Sequence, residues 1–199
     1  MFWIGRLRAD ETVLIHAGGS GVGTAAIQLA KQLVHAKVIT TAGSKEKLDF
    51  CQVLGADYGI NYKEQNFDEE VLQATNNQGV DLILDFVGAS YWRKNLNSIK
   101  VDGRWVLIGM LGGSEIEKIN LMELMSKRIQ LSGTLLTPRS DQYKADLTAD
   151  FARKVKGLFA KEKLKPIVDQ VFAFDQVQLA HEYMESNKNV GKIILNVAE

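Results

Sequence analysis

The residues best equipped for chemistry lie between Thr12 and Lys31, in TVLIHAGGSGVGTAAIQLAK. Gly18, Gly19, Gly21 and Gly23 leave the backbone bare where an apolar strand (Val13, Leu14, Ile15) gives way to a helix. The opening amides of a helix have no partner within it, and they converge where its dipole favours negative charge. A pyrophosphate fits such a place if no side chain holds it away. The spacing departs from G-x-G-x-x-G: Gly18 and Gly23 take its first and third places, and Ser20 replaces the second glycine. Serine still permits close approach, and its hydroxyl can donate to a phosphate. Turns also collect glycine for steric reasons alone. The strand–turn–helix context favours a nucleotide-type ligand over that plainer reading.

The tip of the second strand, Lys37 to Ala42, poses the next chemical choice. An acid there accepts from a ribose 2′-hydroxyl, whereas small and cationic residues suit a 2′-phosphate. Here Gly43-Ser44-Lys45-Glu46-Lys47 follows, with no acid at the tip. Ser44 and Lys47 can reach a phosphate; a capping serine beside a solvated lysine is the ordinary alternative. The missing acid favours the phosphorylated dinucleotide. Two later loops share that sheet edge: Phe86-Val87-Gly88-Ala89 and Gly109-Met110-Leu111-Gly112-Gly113. Their glycines would let backbone approach a nicotinamide ring flanked by Val87, Met110 and Leu111, although plain turn chemistry accounts for each loop singly.

The elements that must hold these residues alternate. Helical spacing (Val22, Ala26, Leu29, Leu33) follows the first strand, and Ser44 caps a helix running to Leu54. Further strands are expected at Tyr58–Tyr62, Val80–Val87, Arg104–Gly109 and Ile129–Leu136. Helices are expected around Val71, at Ser90–Ile99 and at Leu121–Lys127. This rhythm predicts an α/β fold, a doubly wound parallel Rossmann sheet of order 3-2-1-4-5-6. A long helix from Asp141 to Glu162, an extended Ile167–Phe174, a helix near Asp175–Ser186 and Lys192–Val197 remain beyond a complete sheet.

At 199 residues with 46% hydrophobic and 24% charged residues, the chain has a core to bury. Its net charge of +0 leaves no global basic field for nucleic acid. Cys51 alone makes neither a disulfide framework nor a cysteine zinc site, and reads as a small buried hydrophobe. His16, His35 and His181 have no metal-ligand spacing: His16 belongs hydrogen-bonded in a strand, His35 at a helix end, His181 on a helix surface. Ser20 resembles a nucleophile elbow, but Val22 stands where G-x-S-x-G needs glycine. The lysines and arginine from Arg153 to Lys165 read as a solvated helix face, with Val155, Leu158 and Phe159 on its buried side. No apolar run reaches transmembrane length, and no signal-peptide pattern opens the chain. The chain reads as soluble and cytoplasmic.

With these residues in place, the chain resembles the medium-chain dehydrogenase/reductase superfamily, in its zinc-free quinone oxidoreductase (zeta-crystallin-like) branch. The likeness rests on HAGGSGVGTAAIQLAK, TAGSKEKL, LGAD before INYKE, DLILDFVGASYW, DGRWVLIG and NVGKIIL. It implies NADPH as cofactor, a quinone-type small-molecule substrate, and no metal. It places the pyrophosphate on Ser20, Gly21, Val22 and Gly23, and the 2′-phosphate on Lys47 and Tyr62 beside Gly43 and Ser44. Ala89, Gly109, Met110, Leu111, Thr134, Leu135 and Leu136 would line the adenosine and nicotinamide parts of the cleft. It also implies a homodimer through residues 129–136, an apolar edge suited to strand addition.

Family members open with a barrel-like catalytic domain that has no counterpart here. The expected division is a leader at 1–11, unlike the helix expected there, a dinucleotide-binding domain at 12–162, and a return segment at 163–199 that packs on the absent domain. Ile193, Ile194, Leu195 and Val197 would then expose apolar surface. No catalytic acid or base is assigned within the chain. Three other readings stay open: a non-catalytic NADPH-binding or dimerising protein, an enoyl-thioester reductase of the same superfamily, and a methyltransferase, which the Gly43-Ser44 tip disfavours.

Overall fold

The structure is a computed structural model and describes residues 1–197, so the end of the expected 163–199 segment lies outside the described residues. A six-stranded parallel sheet is ordered β3-β2-β1-β4-β5-β6, as the alternation predicted. Its strands are β1 (Thr12–Ile15), β2 (Lys37–Ala42), β3 (Tyr58–Asn61), β4 (Val80–Asp85), β5 (Ile99–Leu107) and β6 (Gln130–Gly133). The linking helices are α1 (Gly21–Val34), α2 (Lys45–Val53), α3 (Phe67–Ala74), α4 (Trp92–Ser98) and α5 (Leu121–Lys127). After β6 come α6 (Asp141–Ala160), β7 (Val168–Ala173), α7 (Val177–Glu185) and β8 (Lys192–Asn196).

Alternation of side chains along each strand divides the core in two. On one face Val13, Ile15, Leu82 and Leu84 meet Ala26, Ile27 and Ala30 of α1. On the other, Leu14, Ile39 and Ile83 meet Phe67 and Val71 of α3, with Leu96 and Trp105. Burial on both faces explains the continuous apolar runs of β1 and β4. Every residue of β4 is buried, Asp81 and Asp85 included.

Two strand boundaries differ from expectation by three residues or more. β5 begins at Ile99, because that core side chain pairs with Val80 before the register shifts and Arg104 pairs with Leu82. Between these two pairings the polar Asp102 takes up the irregularity at φ 63. β6 ends at Gly133, opposite Leu107 where β5 itself stops, so Thr134, Leu135 and Leu136 lie beyond the strand.

Residues 1–9 form turns rather than a helix. Leu7 is buried in the core, with Met1, Phe2 and Ile4 packed against it. Trp3 Nε1 donates to Asp150 Oδ2 of α6 at 2.9 Å, and Arg104 Nη1 donates to the Arg6 carbonyl at 2.6 Å.

β7 and β8 pair in parallel as a separate two-stranded sheet. The Phe172 ring packs near Tyr183 of α7, while Val171 and Ile194, opposite each other in register, are exposed. Ile193 and Leu195 are partly covered, so the expected apolar exposure holds for Ile194 and Val197. The basic side chains from Arg153 to Lys165 are solvated as expected, but Phe159 is exposed and only Val155 of that stripe is fully buried.

Candidate functional site

The chain leaves β1 through Ala17, a non-glycine residue at φ 50, and reverses into α1. A Cβ on Gly23 would strike the Ala17 carbonyl oxygen, so only glycine lets the helix start this close to the strand. Ser20 caps α1, its Oγ accepting from the Gly23 amide at 2.9 Å. The Gly23 N–H is thus engaged by the cap, and Gly23 belongs to the turn as bare backbone. Among the described residues the Val22 N–H has no partner and is open to an anion, whereas the Gly21 backbone is covered by the Lys192 stem and faces Gly191 across the Ser20 bridge.

At the tip of β2, Ser44 caps α2, with Oγ accepting from the Lys47 amide at 3.4 Å. A Cβ placed on Gly43 would lie 2.8 Å from the Tyr62 hydroxyl oxygen, so that hydroxyl sits directly over the tip. The Lys47 stem runs beside Gly19, and its ammonium donates to the carbonyl of Asn187 at 2.8 Å and to Asn187 Oδ1 at 2.9 Å. Partial burial, and then repulsion from Lys63, lowers the Lys47 pKa, while Asp169 pulls it back up.

Ser20, Gly43, Lys47, Tyr62 and Leu111 come together around one cavity of about 390 Å³. Beside it, about 340 Å³ opens between Ser44 and the three cations Lys47, Lys63 and Lys188. Gly109, Met110, Thr134 and Leu135 line a neighbouring cavity of about 470 Å³ with Pro138 and Arg139. Leu136 faces elsewhere, into a groove with Trp3 and Tyr143. Val22 is 50% exposed, and Ala89 opens a short 3-10 turn tied to the Gly113 carbonyl at 2.9 Å.

Beneath these loops runs a buried polar chain. Asp85 Oδ1 accepts from the amides of Val87 at 2.7 Å and Gly88 at 3.0 Å. Its Oδ2 accepts from Asn95 Nδ2 at 3.1 Å and Trp105 Nε1 at 3.0 Å. Asn95 Oδ1 then accepts from His16 Nε2 at 2.7 Å, and His16 Nδ1 meets the Thr41 hydroxyl at 3.1 Å. His16 is hydrogen-bonded in place, as its strand position suggested, and burial lowers its pKa towards the neutral form. Cys51 is buried, its thiol pushed up to about 11 by desolvation. Tyr91, on the wall of the first cavity, is pushed up to about 12 by burial and then by Tyr62, which keeps it a hydrogen-bond donor.

Lys63, Tyr91, Asn187, Lys188 and Asn189 also line these cavities and were not singled out by sequence. Lys63 had a signal, adjacency to Tyr62 in INYKE. No spacing rule connects Asn187 to Lys47, since the fold alone brings the C-terminal segment back across the glycine turn.

A doubly wound sheet with an open amide at its first turn and lysines at the next strand tip defines a dinucleotide-type α/β domain. Residues 21–153 match the model of the zinc-binding dehydrogenase family, and the chain belongs to that family, within the medium-chain dehydrogenase/reductase superfamily. It is 28% identical over 190 residues to quinone oxidoreductase-like protein 2 of Bos taurus, covering 94% of this chain and 53% of the relative. Quinone oxidoreductase of Escherichia coli, solved in complex with NADPH, superposes with TM-score 0.83 at 28% identity, over 95% of this chain and 58% of the other. The CurK enoyl reductase gives TM-score 0.80 at 28% identity, over 98% and 57%. The chain spans about half the length of the curated relatives it matches. Despite the family's name, no group of three or more His, Cys, Asp or Glu lies together among the described residues, so these side chains do not fit a zinc ion. No helix among the described residues is long and apolar enough to cross a membrane.

Proposed function

We propose that the chain is the NADPH-binding part of a quinone-oxidoreductase-like enzyme. The observation that carries this is the strand tip: Gly43 roofed by the Tyr62 hydroxyl, and Lys47, Lys63 and Lys188, outnumbering the one lining carboxylate of Glu46, around a cavity open to a 2′-phosphate. The Val22 amide holds the pyrophosphate at the start of α1, beside Gly21, with Ser20 fixing the turn. Gly109, Met110, Leu111, Thr134 and Leu135 flank the nicotinamide end. Bound NADPH supplies the hydride; the protein orients its carrier and excludes water. Residues 12–162 form the cofactor unit, and the segment from 163 returns to the catalytic domain of the whole enzyme.

Fluorescence titration tests the reading: NADPH binds at least about tenfold more tightly than NADH, as expected for a charge-assisted phosphate site. Equal affinities would remove it. The likeness to CurK favours a second acceptor class, the enoyl thioesters. Comparing NADPH oxidation with a quinone and with an enoyl thioester, in the whole enzyme, separates the two.

The edge strand β6, with Leu131 exposed 42% and Leu121, Met122 and Met125 exposed beside it on α5, pairs with its copy in a homodimer. Sedimentation then gives a dimer that Leu131→Lys converts to monomer. A wild-type monomer at tens of micromolar contradicts the pairing.

A further inference from the structure

We infer that Asn187 is a positioning residue for Lys47, through which the C-terminal β7–α7–β8 unit takes part in selecting the phosphorylated cofactor. The inference rests on the NADPH reading above. Segment 187–192 crosses both chemical ends of the candidate site. At one end Asn187 gives Lys47 two acceptors, its carbonyl at 2.8 Å and its Oδ1 at 2.9 Å. At the other, the Gly191 amide donates to the Gly19 carbonyl at 2.8 Å, Gly191 bridges Ser20, and the Lys192 stem lies across Gly21. The same strap is anchored to its own sheet, where the Lys192 amide donates to the Ile167 carbonyl at 2.8 Å.

An ammonium has three donors. Asn187 takes two, which leaves one for an anion and fixes where it stands. A lysine on its own would spend conformational freedom when a phosphate arrives, and here that ordering is done in advance. The need is real because Lys63 repels Lys47 across the same small cavity. Neutral oxygens keep the cation in place without cancelling the charge that a phosphate needs.

Asn187 sits in the left-handed region, at φ 52, which asparagine tolerates better than most residues. Asn187→Gly therefore keeps the backbone and its carbonyl bond while deleting Oδ1. Asn187→Asp keeps the shape but sets a negative charge beside the incoming phosphate. Each variant and wild type are titrated with NADPH and with NADH by nicotinamide fluorescence. Asn187→Gly is expected to weaken NADPH about three- to tenfold with NADH changed less than about twofold. Asn187→Asp should cost NADPH more still, again sparing NADH. An unchanged NADPH-to-NADH ratio in both variants overturns the inference, as does tighter NADPH binding in Asn187→Gly, which would make Asn187 a competitor of the phosphate. A wild type without NADPH preference overturns the parent reading and this one with it, whereas a wild-type preference kept at its full ratio in every variant overturns this one alone.

Discussion

Replacing Lys47 by alanine weakens NADPH binding by about 10- to 100-fold and leaves NADH within about twofold. The magnitude follows from removing one charged donor to a phosphate, a contact of about 1.5–3 kcal/mol where solvent is partly excluded. Lys47 is half-buried, so screening reduces this and places the effect towards the lower end at high salt. Its stem also lies beside Gly19, and losing that contact can disturb the pyrophosphate turn. NADH is the control, because a disturbed turn weakens both dinucleotides alike. An equal loss for the two would make Lys47 a packing residue. No loss for either would shift the phosphate onto Lys63 and Lys188, which share the small cavity. Lys47→Arg should restore the preference only in part, since a planar fork does not reproduce a point charge held by two oxygens.

The sheet was legible because its information is local. Runs such as Val13–Ile15 and Val80–Leu84 are continuous only where both faces are covered, and the glycine turn set the direction of winding. The candidate site was half legible for the same reason. Ser20, Gly43 and Lys47 each follow a strand directly, so position in the sequence predicts position at the sheet edge. Asn187 and Lys188 are there because a crossover 140 residues away in the chain from Lys47 returns to the turn, and no local pattern encodes that. The cap on α1 was not read from the sequence: the Ser20 oxygen accepts from the Gly23 amide, which leaves its O–H to donate elsewhere.

Asp85→Ala lowers stability by about 3–5 kcal/mol, which for a chain of this size is about 6–20 °C in Tm. Two effects oppose each other here. A buried carboxylate facing no cation is costly, and deleting it relieves that cost. Yet its two oxygens satisfy four donors: the Val87 and Gly88 amides, Asn95 Nδ2 and Trp105 Nε1. Each donor left dry costs about 1–3 kcal/mol, so the loss outweighs the relief. Asp85→Asn separates the contributions. The amide oxygen keeps both loop amides, while its NH₂ confronts Asn95 and Trp105. Asn95 can turn its own amide over to accept from it, donating instead to His16, whose neutral ring then shifts its proton towards Thr41. Trp105 Nε1 has no such remedy, and one orphaned donor predicts a loss of about 2 kcal/mol. Denaturant titration of the three proteins checks the order wild type, Asn, Ala. Should Asp85→Ala prove as stable as wild type, the carboxylate is not what holds the Val87–Gly88 loop at the rim of the candidate cofactor cavity, and that loop must be positioned by its bonds to Gly112 and Gly113 instead.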